Sequence, residues 1–239
     1  MNGEFNLESI RNALLEGMSS SGQMPELTVR LVEGRLEIDG ELPNVAAKRQ
    51  VLERAAAIPG VSAVVDRLHV APVRPMADAD LRDELLKALL DEPAFSILAI
   101  REKARGRTAV VRTPCKCSGV IEYEARDGVA ILGGEVPGLG HKRLAGVIAW
   151  GVPGTRDVVN DIAVMPAEED SDEAILDVVR LALEKDAKLE SAQLRVSVSD
   201  CAVTLAGHVS SEDAKERAER TAWYVDGVTQ VVNRITVRP

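Results

Sequence analysis

The chain has 239 residues, 46% of them hydrophobic and 28% charged, which is the composition of a folded globular protein and excludes a disordered chain. Its 29 Lys+Arg stand against 38 Asp+Glu for a formal charge of −9, which argues against a general binder of nucleic acid or anionic lipid, since those partners need a basic footprint. Aromatics amount to 3%, so cores must be built from Val, Leu, Ile and Ala, and stacking surfaces for bases are scarce.

In chain order, the first segment is polar and acidic, with neither a basic region nor an apolar run of signal-peptide type. No stretch of 18 apolar residues follows anywhere. Together with only three Cys, this points to a reducing cytoplasm, or to the periplasm if a signal has been removed. Leu7, Ile10 and Leu14 predict a helix by their spacing of three and four. A hairpin turn is expected at Glu33–Gly34, followed by the alternating strand Gly34-x-Leu36-x-Ile38-x-Gly40-x-Leu42. Asn44 is a fitting N-cap for a second helix, whose Ala47, Val51 and Ala55 form a small-residue face able to lie close on a sheet. Gly60 ends that helix as its C′ residue, and Val61 to Val70 reads as a closing strand.

After the proline-stiffened linker Ala71-Pro72-Val73-Arg74-Pro75 the order begins again. Leu81, Leu85 and Leu89 predict a helix, Asp127–Gly128 a turn, and Gly128-x-Ala130-x-Leu132-x-Gly134-x-Val136 a strand. Gly154-Thr155-x-x-Val158-Val159-Asn160-Asp161-Ile162-x-Val164 ends the copy. An acidic linker, residues 166–173, introduces the third. Ile175, Val178 and Ala182 share a helix face, Leu194-x-Val196-x-Val198 alternates, and Asp200–Cys201 takes the turn. Cys201-x-Val203-x-Leu205-x-Gly207-x-Val209 is the strand, Ser210 the expected cap, and Ala214, Ala218 and Ala222 the small face. Gly227 to Val237 closes the chain. The spacing between strand glycine and helix-ending glycine is 20 residues in all three: Gly40 to Gly60, Gly134 to Gly154, Gly207 to Gly227. Such identity marks an internal repeat.

The fold class read from these segments is α+β: three tandem αββαβ domains over residues 5–72, 78–166 and 172–239, each a three-stranded mixed sheet covered by two helices. The order, the L-x-G-x-V strand, and the Val-Val-Asn-x-Ile ending of the second and third copies resemble the BON domain, over nearly the whole chain. The first copy departs by placing Asp66 where the others have Asn160 and Asn233. The resemblance implies a bacterial, non-enzymatic protein that binds phospholipid membranes or partners and is associated with osmotic and envelope stress, with potassium sensing in one relative.

Charge is uneven along the chain. Residues 1–72 carry 7 basic and 10 acidic groups, 73–167 carry 13 of each, and 168–239 carry 9 and 15. The middle copy holds an insertion, residues 96–117, in which Arg101, Lys103, Arg105, Arg107, Arg112 and Lys116 meet Glu102 alone. Alternation around Arg105-Gly106-Arg107 suggests an extra hairpin. These six cations are the candidate contact for an anionic phospholipid surface or an acidic partner, and the competing reading is a solvated arm paired with the acidic third copy. The alternative function is a K⁺ or small-ligand sensor, with carbonyls and carboxylates of an acidic copy holding the cation. Self-association of the copies is also compatible with the pattern.

Cys115 and Cys117 are two soft-metal ligands at most, and His69, His141 and His208 fall in different copies, so a closed zinc site is not expected. Trp150 and Trp223 each precede a closing glycine by four residues and read as cover over the end of a sheet, with membrane or ligand anchoring as the alternative. The six repeat glycines, Gly40, Gly60, Gly134, Gly154, Gly207 and Gly227, read as structural. No phosphate loop, G-x-S-x-G or H-E-x-x-H occurs, so neither an enzyme nor a cofactor is expected.

Overall fold

An apolar stripe at helical spacing followed by an alternating hairpin opens every copy, and the computed structural model shows both where they are expected. It describes residues 7–16, 25–104, 106–186, 188–189 and 193–238. Residues up to Ala71 form one compact unit and those from Pro72 a second, so the second and third copies share a body.

The first unit runs α1 (Leu7–Leu14), β1 (Leu27–Val32), β2 (Arg35–Leu42), α2 (Val45–Ala56) and β3 (Ala63–Val70). β1 and β2 are antiparallel, and β3 returns parallel to β2 after the helical crossover. Leu14, Leu36, Ile38, Val51, Ala55 and Leu68 fill the core between helices and sheet. Asn44 caps α2, its side-chain oxygen accepting from the Ala47 amide at 2.8 Å.

The second unit begins with α3 (Asp78–Asp91), a 3₁₀ turn (Pro93–Phe95), β4 (Ala99–Ala104), β5 (Arg107–Arg112), β6 (Val120–Arg126), β7 (Val129–Val136), α4 (Leu139–Gly151), β8 (Asp157–Asn160) and β9 (Ala163–Val164). It continues with α5 (Asp172–Lys185), β10 (Leu194–Ser199), β11 (Ala202–Val209), α6 (Glu212–Trp223) and β12 (Gln230–Val237). The third sheet has the expected three strands, β10-β11-β12. The middle one does not: its six strands run β5-β4-β6-β7-β8, with β9 also on β7. The insertion therefore widens the sheet, and the closing strand breaks into β8 and β9.

Two backbone devices recur. The hairpin turns have left-handed φ at both central residues: Glu33 51° and Gly34 78°, Asp127 53° and Gly128 77°, Asp200 52° and Cys201 61°. That is the I′ geometry. In the last two copies an aspartate at the start of the first helix clamps the turn. Asp78 accepts from the amides of Asp127 and Gly128, and Asp172 from those of Asp200 and Cys201, all within 2.8–2.9 Å. The second device is the strand glycine. Gly40, Gly134 and Gly207 have φ of 154°, 99° and 127°, and a Cβ there would stand 2.5, 2.2 and 2.1 Å from a carbonyl oxygen at the start of the neighbouring strand. The close approach is to the hairpin partner rather than to a helix.

The helix-ending glycines need correction. α2 ends at Ala56 and α6 at Trp223, so Gly60 and Gly227 lie beyond the C′ position. They are the third residues of β-turns closed by Val61 N to Ile58 O (3.2 Å) and Val228 N to Val225 O (3.3 Å), with φ of 88° and 92°. Gly154 occupies the same place in a turn closed by Thr155 N to Val152 O, yet its φ is outside the left-handed region. It is glycine for space: a Cβ would meet Met76 at 2.6 Å. The cap of α6 is Ser211, not Ser210, because only Ser211 stands three residues before the Ala214 amide it accepts from.

The Asp66 departure has a physical account. Asp66 pairs with the buried amine of Lys48 at 3.1 Å, and that amine also donates to Leu68 O at 2.8 Å. Asn160 and Asn233 instead donate to the carbonyls of Lys142 and Lys215, tying strand to helix with a neutral amide, and Asn233 also donates to Glu219 at 3.0 Å. Asp66→Asn should therefore destabilise the first unit by about 1–3 kcal/mol by removing the carboxylate charge beside a buried ammonium, measured by denaturant unfolding. Cys201→Gly should stabilise the second unit by about 0.5–1 kcal/mol by relieving left-handed strain. Gly207→Ala should cost more than about 2 kcal/mol; an unchanged midpoint would refute the close approach.

Candidate functional site

β4 exists because its inward residues complete a core. Phe95, Leu98, Ala99 and Ile100 are buried with the leucines of α3 and with Ile121 and Tyr123 of β6. The chain is turned into the strand by Glu92, whose carboxylate accepts from the Ala94 amide at 3.0 Å and pairs with Lys185 of α5 at 2.8 Å. β4 then adds parallel to β6, and β5 folds back antiparallel on it around Gly106, whose φ is 75°. The extra hairpin is present, but as the rim of the sheet rather than a detached arm.

The five of the six cations that lie among the described residues are not gathered into one patch. Lys103 and Arg101 lie on the sheet face away from the helices and share Glu122 of β6, at 2.5 and 3.7 Å. Arg112 turns inward, donating to the carbonyls of Phe95 (2.5 Å), Leu90 and Leu98 (3.4 Å each). Arg107 and Lys116 are exposed, and Arg105 lies outside the described residues. The middle copy itself supplies partners for the first three: Glu122 for Arg101 and Lys103, and main-chain carbonyls for Arg112.

What the hairpin leaves open is an edge. β5 is the last strand of the sheet, five of its six residues are exposed, and Val110 and Val111 are 64% and 40% accessible. Edge strands of soluble proteins are usually blunted by charge or cover, and exposed valines on one mark a pairing surface. The sequence signal for this was present in Val110-Val111 but was masked by the more conspicuous basic residues.

Beyond the hairpin, Cys115 and Cys117 are exposed, and Cys117 Sγ contacts Gly119 O at 3.1 Å. Among the described residues no group of three or more His, Cys, Asp or Glu is placed to hold a metal ion. Trp223 is buried, whereas Trp150 is half-buried and stacks on Tyr224, with ring centroids 5.8 Å apart and planes 9° from parallel. Arg143 is the residue sequence reasoning passed over. Only 2% exposed, it donates from Nε to Asp226 O at 2.8 Å and pairs with Asp170, joining α4 to the acidic linker and to the turn after α6. A charged helix residue carries no mark of burial in the sequence.

A family model described as the BON domain matches residues 7–72, 100–166 and 171–239. No curated protein matches the sequence. Two solved chains of CdsD, a structural protein of the type III secretion system of Chlamydia trachomatis, are similar at 14% identity and a TM-score of 0.25. One alignment covers 100% of this chain and 100% of that chain, the other 97% and 93%.

Two outcomes follow from the site's geometry. Arg112→Ala should lower the stability of the second unit by about 1–3 kcal/mol through the stranded carbonyls, while Arg107→Ala changes it by less than about 0.5 kcal/mol; equal effects in denaturant titrations would contradict the inward placement. Tyr123, beside Glu102 under the hairpin, has its hydroxyl pushed up to about 12, first by burial and then by the Glu102 charge. Tyr224 is raised as well, by burial. The folded state thus holds both phenols neutral. The stability they contribute is full below about pH 10 and is lost as pH rises through about 12 for Tyr123. With two tyrosines in the chain, phenolate absorbance should rise later than that of a free tyrosine, whose ordinary value is about 10, with Tyr123 well behind it.

Proposed function

The chain belongs to the BON domain family, whose role is binding rather than catalysis, and on that premise we propose that it docks an acidic, extended segment of a partner protein along β5. The observation that carries this reading is the open edge with Val110 and Val111 exposed beside Arg107. A partner strand added there would gain main-chain hydrogen bonds and place alternate side chains against the valines. Pairing of β5 with β5 of a second copy is disfavoured, because an antiparallel match of Arg107-Thr-Ala-Val-Val-Arg112 sets arginine against arginine. The partner chemistry is therefore acidic and β-prone. With Arg101, Lys103 and Arg112 already engaged inside the copy, the cation density available to a phospholipid surface is reduced.

The test uses an alternating Glu-Val hexapeptide. Binding should protect β5 amides from hydrogen exchange, weaken as salt rises, and fall at least about tenfold in Val110→Asp. Pelleting with phosphatidylglycerol vesicles without β5 protection would replace this reading with membrane docking. A rise in melting temperature with K⁺ alone, at fixed ionic strength, would favour the ion-sensing alternative.

A further inference from the structure

Within the second unit, α4, α5 and α6 leave a cleft of about 490 Å³ that has no part in the β5 edge. Its size falls in the range of small-molecule sites, roughly 300–1,000 Å³. The floor is apolar, formed by Leu144, Ile148 and Ala182, and one wall is the stacked pair Trp150 and Tyr224. These two are half of the four Trp and Tyr residues in a chain that is 3% aromatic. The rim carries four cations, Lys185, Lys188, Arg217 and Arg220, against the single carboxylate Asp186. The three helical cations and Lys188 all come from the most acidic third of the sequence, so the cleft gathers basic side chains from an acidic stretch.

The cations are held ready to different degrees. Lys185 is anchored by Glu92, and Arg217 is braced between Asp186 and Asp213 at 3.6 Å each. Arg217 Nε is nevertheless buried without a hydrogen-bond partner among the described residues. Arg220 makes no ion pair with a described residue and lies one helical turn before Tyr224. An apolar floor, a flat aromatic wall and a rim of guanidinium and ammonium groups select for one ligand chemistry. We propose that this cleft binds a small organic anion bearing a flat ring, of the nucleoside-phosphate class. The ring lies along Trp150 and Tyr224, and the phosphate meets Arg220 and Arg217. Aromatic contact supplies the ring selectivity, and charge-assisted hydrogen bonds from the guanidinium groups supply the anion selectivity.

Three probes separate the two contributions: adenosine monophosphate, adenosine without charge, and inorganic phosphate without a ring. Trp223 is buried, so tryptophan fluorescence chiefly reports Trp150. The monophosphate should give a saturable change, with adenosine and phosphate each at least about tenfold weaker. Arg220→Gln should weaken the monophosphate about tenfold, equivalent to about 1.4 kcal/mol, without lowering the melting temperature, and Arg220→Lys should restore part of the loss. Trp150→Phe should abolish the optical signal while calorimetry still records binding. Absence of saturation, equal affinity for the monophosphate and for phosphate, or indifference to Arg220→Gln would each overturn the proposal. If Arg220→Gln does not fold, the three-probe comparison on the unaltered protein decides alone. Because the probes bypass β5, loss of this site leaves the docking reading standing, and the reverse.

Discussion

Every copy is built around a hairpin whose two strands come so close at one point that no side chain fits between them. At Gly40, Gly134 and Gly207 the second strand passes a carbonyl of the first at a distance any Cβ would violate. The I′ turn at the other end imposes right-handed twist on the same pair of strands. Between these two fixed points the pairing register has no freedom to slip. The parallel closing strand, the small-residue helix over it and, in the middle copy, two additional strands all take their positions from that ribbon. The aspartates at the start of α3 and α5 extend the constraint to the first helix, since each carboxylate holds both amides of its turn.

The middle copy shows what such a frame tolerates. An insertion between first helix and first strand is added outside the ribbon, on the free side of β6, and it brings its own apolar residues to the core. Its charges are absorbed locally: Glu122 takes two cations, and three main-chain carbonyls take a third. The cost of widening the sheet is moved outward to β5, which inherits the open edge.

Periodicity and turn chemistry made much of this legible from residues alone. Asp-Gly and Glu-Gly between alternating runs announced the hairpins, and the constant interval between glycines announced the repeat. Leu81, Leu85 and Leu89 declared a buried face, and all three are buried. Legibility failed where a residue's role is set by something distant. Gly154 looks like Gly60 and Gly227, but its reason is Met76, just after the linker. Ser210 and Ser211 are indistinguishable as caps until the helix start is fixed. Six cations in one segment read as a patch because the partners of Arg101, Lys103 and Arg112, Glu122 and the carbonyls of Leu90, Phe95 and Leu98, are invisible to a local reading. The aromatic cleft was half visible: Trp150 was noticed, but its neighbour Tyr224 sits in another copy.

The buried guanidinium of Arg143 has a consequence for how the polypeptide is made. Its main-chain acceptor at Asp226 follows it by 83 residues, close to the end of the chain. During synthesis the first unit is complete long before this and is free to fold as it emerges. The middle copy is not: until α6 and the turn after it have been made, Arg143 lacks its acceptor at Asp226. Synthesis of α6 and the turn after it thus supplies a contact that ties the middle copy to the third. A nascent chain stopped before Asp226 would leave the guanidinium of Arg143 without that acceptor.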